Sequence, residues 1–234
     1  MNPTRFRGFA SLPTAAPDKA AQELERRVRK QKFAGAVING HHRGRYLNDK
    51  FFWPILECAE TLGAPIYLHP TPPPEAVIAA SYGGFSPSVT QMLAGPGWGW
   101  HIETAVHIIR IILGGVFDRY PKLQIVIGHL GEGLPFMFQR LDVMPRELTT
   151  LDRPITAYLR DNVHYTFSGF NFPAAFLDLL LELAASTASC SRPTIRINRW
   201  RRRALFWSNS RSAPPTGDAS PTAMPSGYSS YRAD

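Results

Sequence analysis

The run Ala64-Pro-Ile-Tyr-Leu-His-Pro70 decides the fold, together with its counterpart Gln124-Ile-Val-Ile-Gly-His129. Each is an apolar stretch bounded by Gly or Pro and too short for a helix, which is typical of a buried strand in a parallel sheet. Each ends in a histidine, His69 or His129. An α/β barrel carries its catalytic groups at the C-terminal ends of its strands. One such histidine is usually structural, but two at the same relative position predict a functional site.

Strands and helices alternate along the chain on either side of these runs. We predict strands that span 6–12 and 33–39, strands that end at His69 and His129, and a fifth strand over 162–168. Helices are predicted over 18–32, 51–62, 101–116, 134–143 and 176–184. This alternation predicts a parallel sheet and favours a barrel over a doubly wound sheet. The expected fold class is α/β: an incomplete (β/α)8 TIM barrel with about five of its eight βα units.

The composition is that of a globular protein. The chain has 234 residues, of which 44% are hydrophobic, enough for one large domain or a piece of a larger one. No stretch approaches the roughly 20 apolar residues of a membrane span, and no signal region follows Met1. We therefore expect a cytoplasmic protein without a membrane partner. The two cysteines, Cys58 and Cys190, do not make a disulfide framework.

The net charge of +8 is concentrated in the last part of the chain. Residues 185–234 contain eight Arg, no Lys and two Asp, which leaves an excess of only +2 for residues 1–184. We therefore expect no nucleic-acid partner for the folded part. Residues 185–234 are rich in Ser, Pro and Gly without helical or strand periodicity, so we predict a barrel domain over 1–184 and a disordered basic tail over 185–234.

Several segments together resemble one known family, the amidohydrolase-2 group of metal-dependent barrels. Its members include aminocarboxymuconate-semialdehyde decarboxylase and the hydroxybenzoate decarboxylases. The resemblance covers residues 6 to about 184. The matching segments are Ile38–His41 with Arg45–Asp49, Pro65–Pro70, Gly97–Thr104, Gly115–Pro121, and Gly128–Pro135 with Arg140–Asp142.

The resemblance assigns roles to the two strand-end histidines. It implies that His69 is a ligand of a divalent metal, zinc or manganese, and that His129 is a catalytic histidine next to the metal. Neutral imidazole is a common ligand of such ions, and a histidine that titrates near neutrality can transfer a proton. It also implies that Glu132 orients His129. Alternatively, Glu132 is a carboxylate at a helix N-terminus, stabilised by the helix dipole.

The remaining candidates carry weaker signals. Arg140 is predicted to bind a substrate carboxylate, with a surface ion pair as the alternative. The histidines of the loop after the second strand could face substrate or only solvent, and for His101 and His107 we expect packing or partner contacts. Two tryptophans in the Gly-Trp-Gly-Trp segment could form the wall of an aromatic pocket or pack a loop.

The chain departs from the family pattern at both ends. The first-strand Glu-x-His or His-x-His pair of metal ligands and the last-strand Asp ligand of the family are not found, so we expect an N-terminal truncation. His69 alone cannot form the three-ligand open site of a catalytic metal. Residues 189–196 can be reread in a shifted frame as a Phe-Ser-Ala-Asp-Tyr-Pro segment, which predicts a frameshift after about residue 185. The alternative is a natural disordered tail.

The resemblance implies a metal-dependent, non-oxidative decarboxylase of a hydroxylated aromatic or related unsaturated carboxylic acid, inactive in the chain as it stands. One alternative is a metal-dependent hydrolase of a lactone, ester or amide. The other is a non-catalytic barrel fragment. The expected partners are a small-molecule carboxylic acid and, from the resemblance, a second copy of the chain in a homodimer.

Overall fold

A single parallel sheet organises the part of the chain that the computed structural model describes, residues 6–166. Its strands are β1 (Phe9–Ser11), β2 (Gly35–Asn39), β3 (Ile66–His69), β4 (Ile125–Ile127) and β5 (Val163–Tyr165). Every neighbouring pair is parallel, and the strands follow one another across the sheet in chain order.

The strand order distinguishes between the two common parallel architectures. A doubly wound sheet reverses direction at a switch point, whereas a barrel adds each new strand beside the last one. The order β1-β2-β3-β4-β5 contains no reversal. The described residues therefore form five consecutive strands of a barrel wall, and the predicted fold class is confirmed.

Nine α-helices connect the strands or follow them within the described residues. They are α1 (Pro17–Gln31), α2 (Trp53–Leu62), α3 (Glu75–Ser81), α4 (Pro87–Ala94), α5 (Gly99–Leu113), α6 (Val116–Arg119), α7 (Phe138–Leu141), α8 (Arg146–Thr149) and α9 (Ile155–Asp161). Short 3₁₀ turns span Lys50–Phe52, His129–Gly131 and Leu134–Met137. None of these helices is long and apolar enough to cross a membrane.

The hydrophobic core lies between the sheet and the helices that cover one face of it. The strands β2, β3 and β4 contribute fully buried side chains such as Ile66, Leu68 and Ile125. The helix α5 packs against them with Ile108 and Ile111, which are also inaccessible to solvent. Burial of this apolar surface holds neighbouring strands in register, so that the residues after each strand emerge next to one another.

Two helix predictions need correction. The helix predicted over 101–116 is divided, because Gly114 follows Leu113 and Gly115 adopts a positive φ of 67° before α6 begins. Leu113, the last residue of α5, is 39% exposed. The helix predicted over 134–143 is also divided into a 3₁₀ turn and α7.

The segment between β3 and α5 contains two helices that the sequence does not predict. α3 has no buried residue and α4 buries only Ala94. The apolar residues that these helices carry, such as Val77, Val89 and Met92, stay exposed, so neither helix contributes a buried face to the core. The helix predicted over 176–184, the domain boundary at 184, Cys190 and the tail lie outside the described residues.

Candidate active site at the C-terminal strand edge

Two adjacent strands bring the predicted site histidines to the same edge of the sheet. Leu68 in β3 pairs in register with Ile127 in β4, so the residues that follow each strand emerge side by side. His69 is the last residue of β3, and His129 follows β4 after one glycine. His69 is exposed, whereas the side chain of His129 keeps 25% of its surface accessible.

A left-handed turn after β4 sets the direction of the His129 side chain. Residues 129–133 all have positive φ angles, between 45° and 84°. Three of them, His129, Leu130 and Glu132, have side chains, for which this conformation costs about 1–2 kcal/mol each. Strained backbone of this kind is typical of functional sites, where packing holds the chain in an otherwise unfavourable conformation.

The turn places the Glu132 carboxylate between two imidazole rings. Oε1 of Glu132 lies 2.7 Å from Nδ1 of His129, and Oε2 lies 2.5 Å from Nδ1 of His101 in α5. The Glu132 side chain is fully buried, and each histidine is about one quarter exposed. Since a carboxylate only accepts hydrogen bonds, both Nδ1–H groups donate to it. The two rings meet edge to face, with centroids 4.9 Å apart.

His101 is further held from its opposite side. Its Nε2 atom lies 3.2 Å from the indole nitrogen of Trp100 and 3.2 Å from the carbonyl oxygen of Pro96. The hydrogen bond to Glu132 raises the pKa of His101, against the lowering effect of burial. The Trp100 ring also contacts His69, with centroids 6.5 Å apart. One connected set of side chains therefore runs from β3 through α5 to the turn after β4.

The nitrogen atoms of His69 are arranged as in a metal-binding histidine. Nδ1 lies 2.9 Å from the carbonyl oxygen of Pro70, and a carbonyl only accepts, so Nδ1 carries the proton and donates it. The lone pair of Nε2 is left free to bind a cation, the arrangement that a backbone carbonyl commonly fixes in metal sites. His69 therefore fits the role of a ligand to a divalent ion.

A second group of side chains also has its possible ligand atoms close enough together to hold a metal ion. Within the described residues, one atom each from His101, His129 and Glu132 lies within 4.8 Å of the others. The contacts of 2.5 and 2.7 Å between nitrogen and oxygen are hydrogen-bond lengths, so hydrogen bonds alone account for the cluster as it stands.

Glu132 does not lie at the helix N-terminus that the sequence suggests, and Arg140 does not form the surface ion pair within the described residues. Glu132 ends the left-handed turn with a φ of 55° and does not start a helix, so no helix dipole acts on it in the expected way. Arg140 lies in the one-turn helix α7, is exposed, and its guanidinium makes no hydrogen bond or ion pair with the other described residues. The surface ion pair considered for Arg140 is not formed within residues 6–166.

His101 is the site residue that the sequence reasoning missed. We expected packing or partner contacts for it, as for His107. For His107 the structure shows packing: it is 1% exposed, and Nε2 accepts the backbone N–H of Leu47 at 2.9 Å. His101 instead contacts Glu132, 31 residues further along the chain. One feature of the sequence could have indicated its role: His101 lies in the first turn of the helix that follows the segment after β3, two residues after Gly99.

Comparison with known proteins shows one family over most of the chain. The profile of the Amidohydrolase family matches residues 1–186. A gamma-resorcylate decarboxylase from Polaromonas sp. (strain JS666 / ATCC BAA-500) is 39% identical over 194 residues, which are 78% of this chain and 58% of that protein. The chain thus spans less than two thirds of this curated relative.

Solved structures show the same likeness. A dihydroxybenzoic acid decarboxylase from Polaromonas sp. JS666, solved with manganese and the inhibitor 2-nitroresorcinol, superposes with a TM-score of 0.71 at 33% identity, covering 87% of this chain and 68% of that one. A 5-carboxyvanillate decarboxylase from Sphingomonas paucimobilis superposes with a TM-score of 0.70 at 32% identity, covering 88% and 62%.

Proposed function

Because the chain belongs to the Amidohydrolase family, we propose that it contributes the proton-transfer residues of a metal-dependent, non-oxidative decarboxylase. The substrate class is a hydroxylated aromatic or related unsaturated carboxylic acid, the class to which the named acids of its relatives belong. The observation that carries the proposal is the hydrogen bond of 2.7 Å between Nδ1 of His129 and the fully buried carboxylate of Glu132. This pair lies at the same edge of the sheet as His69.

In this proposal His129 moves the proton. As an imidazolium, it donates Nδ1–H to Glu132 and gives the Nε2 proton to the ring carbon that carries the carboxylate. The bond between that carbon and the carboxylate then breaks, its electron pair restores the aromatic ring, and carbon dioxide leaves. His129 is left neutral and takes a proton from water. The Glu132 carboxylate, which accepts the Nδ1–H of His129, holds the imidazole ring in place during the transfer.

His69 would hold the divalent ion, zinc or manganese. A bound cation supplies positive charge that orients a substrate carboxylate and its neighbouring hydroxyl group. The Nδ1–H of His69 stays on the carbonyl of Pro70 and keeps the Nε2 lone pair directed at the ion.

We assign Arg140 to the substrate carboxylate, since its guanidinium is exposed and has no described partner. A guanidinium binds a carboxylate with two parallel hydrogen bonds. The cytoplasmic location, the basic tail over 185–234 and the frameshift near residue 185 stay predictions. Sequencing of the gene across the codon for Ala185 tests the last of them.

The hydrolase alternative uses the same edge of the sheet but a different nucleophile. There, water activated by a cation attacks a lactone, ester or amide, and no carbon dioxide forms. The buried carboxylate behind His129 favours decarboxylation, since that reaction needs a histidine that carries a proton to carbon.

Parallel incubations separate these functions. The full chain with manganese is given 2,6-dihydroxybenzoate in one reaction and an aromatic lactone in another, while carbon dioxide and acid production are followed. The count of metal ligands in the sequence predicts an inactive chain, but the intact arrangement of His69, His129 and Glu132 leads us to expect carbon dioxide from the benzoate and no ring opening of the lactone. Ring opening without carbon dioxide would support the hydrolase, and no turnover of either compound would support the non-catalytic fragment.

We also propose a homodimer that uses α5. Ile102, Val106 and Leu113 are 37 to 41% exposed and lie on one face of this helix at spacings of four and seven residues. A second copy would cover this apolar stripe. Light scattering after size exclusion should give twice the chain mass for the wild type and a monomer for Val106→Glu. Val77→Glu on α3, at a residue of similar exposure, should leave the dimer intact. A wild-type monomer would contradict the proposal.

A further inference from the structure

We infer that His101 is a positioning residue that fixes the Glu132 carboxylate, so that this carboxylate in turn fixes the ring of His129. The inference rests on the function proposed above for His129. It adds a residue on α5 to a pair that lies wholly in the turn after β4.

The geometry of Glu132 carries this inference. Its carboxylate is buried, and each of its two oxygens bonds to the Nδ1–H of a different histidine. Rotation about the last side-chain torsion of Glu is broad and loosely restrained. With only the His129 bond, the second oxygen would be buried without a partner, which costs free energy. The bond from His101 removes that cost and selects one orientation of the carboxylate.

His101 is itself held in place on both sides. It lies in the first turn of α5, a fifteen-residue helix anchored in the core by Ile108 and Ile111. Its Nε2 atom meets a donor, the indole N–H of Trp100, and an acceptor, the carbonyl of Pro96, each at 3.2 Å. A neutral ring can accept from the indole, and a charged ring can donate to the carbonyl. Either form keeps Nδ1–H directed at Glu132.

Two substitutions of His101 distinguish a role in positioning Glu132 from a role in packing alone. The amide nitrogen of Asn can occupy the place of Nδ1 in histidine, so His101→Asn keeps a donor for Glu132. His101→Leu keeps apolar volume but removes the donor. If His101 only filled space, the leucine variant would be the better tolerated of the two. If it positions Glu132, the asparagine variant restores what leucine loses.

Nitrogen NMR of the full chain, labelled with ¹⁵N-histidine, reports directly whether the Nδ1–H of His129 is held in a hydrogen bond. In the wild type we expect a slowly exchanging Nδ1–H signal for His129, assigned by its loss in His129→Asn. The signal should broaden or disappear in His101→Leu and return in His101→Asn. His42→Leu, at another half-buried histidine, should leave it unchanged. An unchanged His129 signal in His101→Leu would overturn the inference. A wild-type His129 protonated only on Nε2 would also overturn it, and that measurement needs no folded variant.

Kinetics add an independent measurement. Since His101 does not touch the substrate, His101→Leu should lower kcat by about 10- to 100-fold with little change in KM. If the wild type releases no carbon dioxide while the NMR pattern holds, the proposed function fails but the positioning role of His101 stands. If the wild type releases carbon dioxide but the NMR signals do not change as described, the proposed function stands and the positioning role of His101 is wrong.

Discussion

Glu132 is the side chain on which the arrangement of the site depends. It has no access to solvent, and both of its oxygens are occupied by histidines from different parts of the chain. His129 and Glu132 belong to one sequence motif, so their pairing can be predicted from a spacing of three residues. The contact with His101 depends on how α5 packs against the sheet, and no local pattern contains that information.

Arg140 offers a test of substrate binding at a single side chain. Arg140→Gln removes the charge that is proposed to bind the substrate carboxylate. A hydrogen bond to a charged group contributes roughly 1.5–3 kcal/mol, so the KM for 2,6-dihydroxybenzoate should rise by about 10- to 100-fold. Arg29→Gln in α1, where Arg29 pairs with Glu25 at 2.8 Å, serves as the control and should leave KM unchanged. Equal KM values for wild type and Arg140→Gln would remove Arg140 from the site.

The lowered pKa of the buried His107 predicts how the free energy of unfolding depends on pH. Burial, with smaller effects of His41 and Arg110, lowers the pKa of His107 to about 3. In the unfolded chain a histidine titrates near 6.5, so only the unfolded state takes up this proton between roughly pH 6.5 and 3. The contribution of His107 is therefore complete above pH 6.5 and is lost as the pH falls towards 3.

Urea unfolding between pH 6 and 4 measures this contribution. The free energy of unfolding of the wild type should fall with decreasing pH by about 1.4 kcal/mol per pH unit more than that of His107→Gln. Glutamine does not titrate, and its side-chain oxygen can still accept the N–H of Leu47. Parallel slopes for the two proteins would show that the pKa of His107 is not lowered.

The turn after β4 shows what sequence patterns omit about local structure. The sequence predicts a helix from residue 134, and the Gly and Pro residues before it indicate only an interruption. The structure has five successive residues with positive φ, which turn Glu132 back towards its own histidine. A run of this kind depends on close packing against β5, because the N–H of Leu130 donates to the carbonyl of Thr166 at 3.0 Å.

Alanine substitutions at two glycines of this turn distinguish the effect of backbone strain from that of steric conflict. Gly131 and Gly133 have φ angles of 84° and 77°. A Cβ on Gly131 would lie 2.6 Å from Tyr165 and 2.9 Å from Pro135, whereas a Cβ on Gly133 would have nothing within 4 Å. Both alanine variants should lose about 1–2 kcal/mol from backbone strain.

Gly131→Ala should lose roughly 1–3 kcal/mol more than Gly133→Ala because overpacking adds to the strain. Chemical denaturation followed by tryptophan fluorescence measures both variants against the wild type. Equal losses would mean that the turn does not pack against β5 and Pro135 as described.

The sheet as a whole follows from features that the sequence shows plainly. Short apolar runs that alternate with helices predict parallel strands in chain order, and the five strands have that order. The helices α3 and α4 could not be predicted because they bury almost nothing. The neighbouring positions of β3 and β4 then bring His69 and His129 together without any further assumption. The roles of His69, His129, Glu132 and Arg140 stay predictions that the variants above test.

The rate of carbon dioxide release by His129→Asn tests the account most directly. Asparagine can still donate to Glu132 from the place of Nδ1, but it has nothing in place of Nε2, the proposed source of the proton. With manganese and 2,6-dihydroxybenzoate, the variant should release carbon dioxide about 10²- to 10⁴-fold more slowly than the wild type, while Arg29→Gln in α1 should match the wild type. A His129→Asn rate within threefold of the wild type, or a wild type that releases no carbon dioxide, would contradict the account.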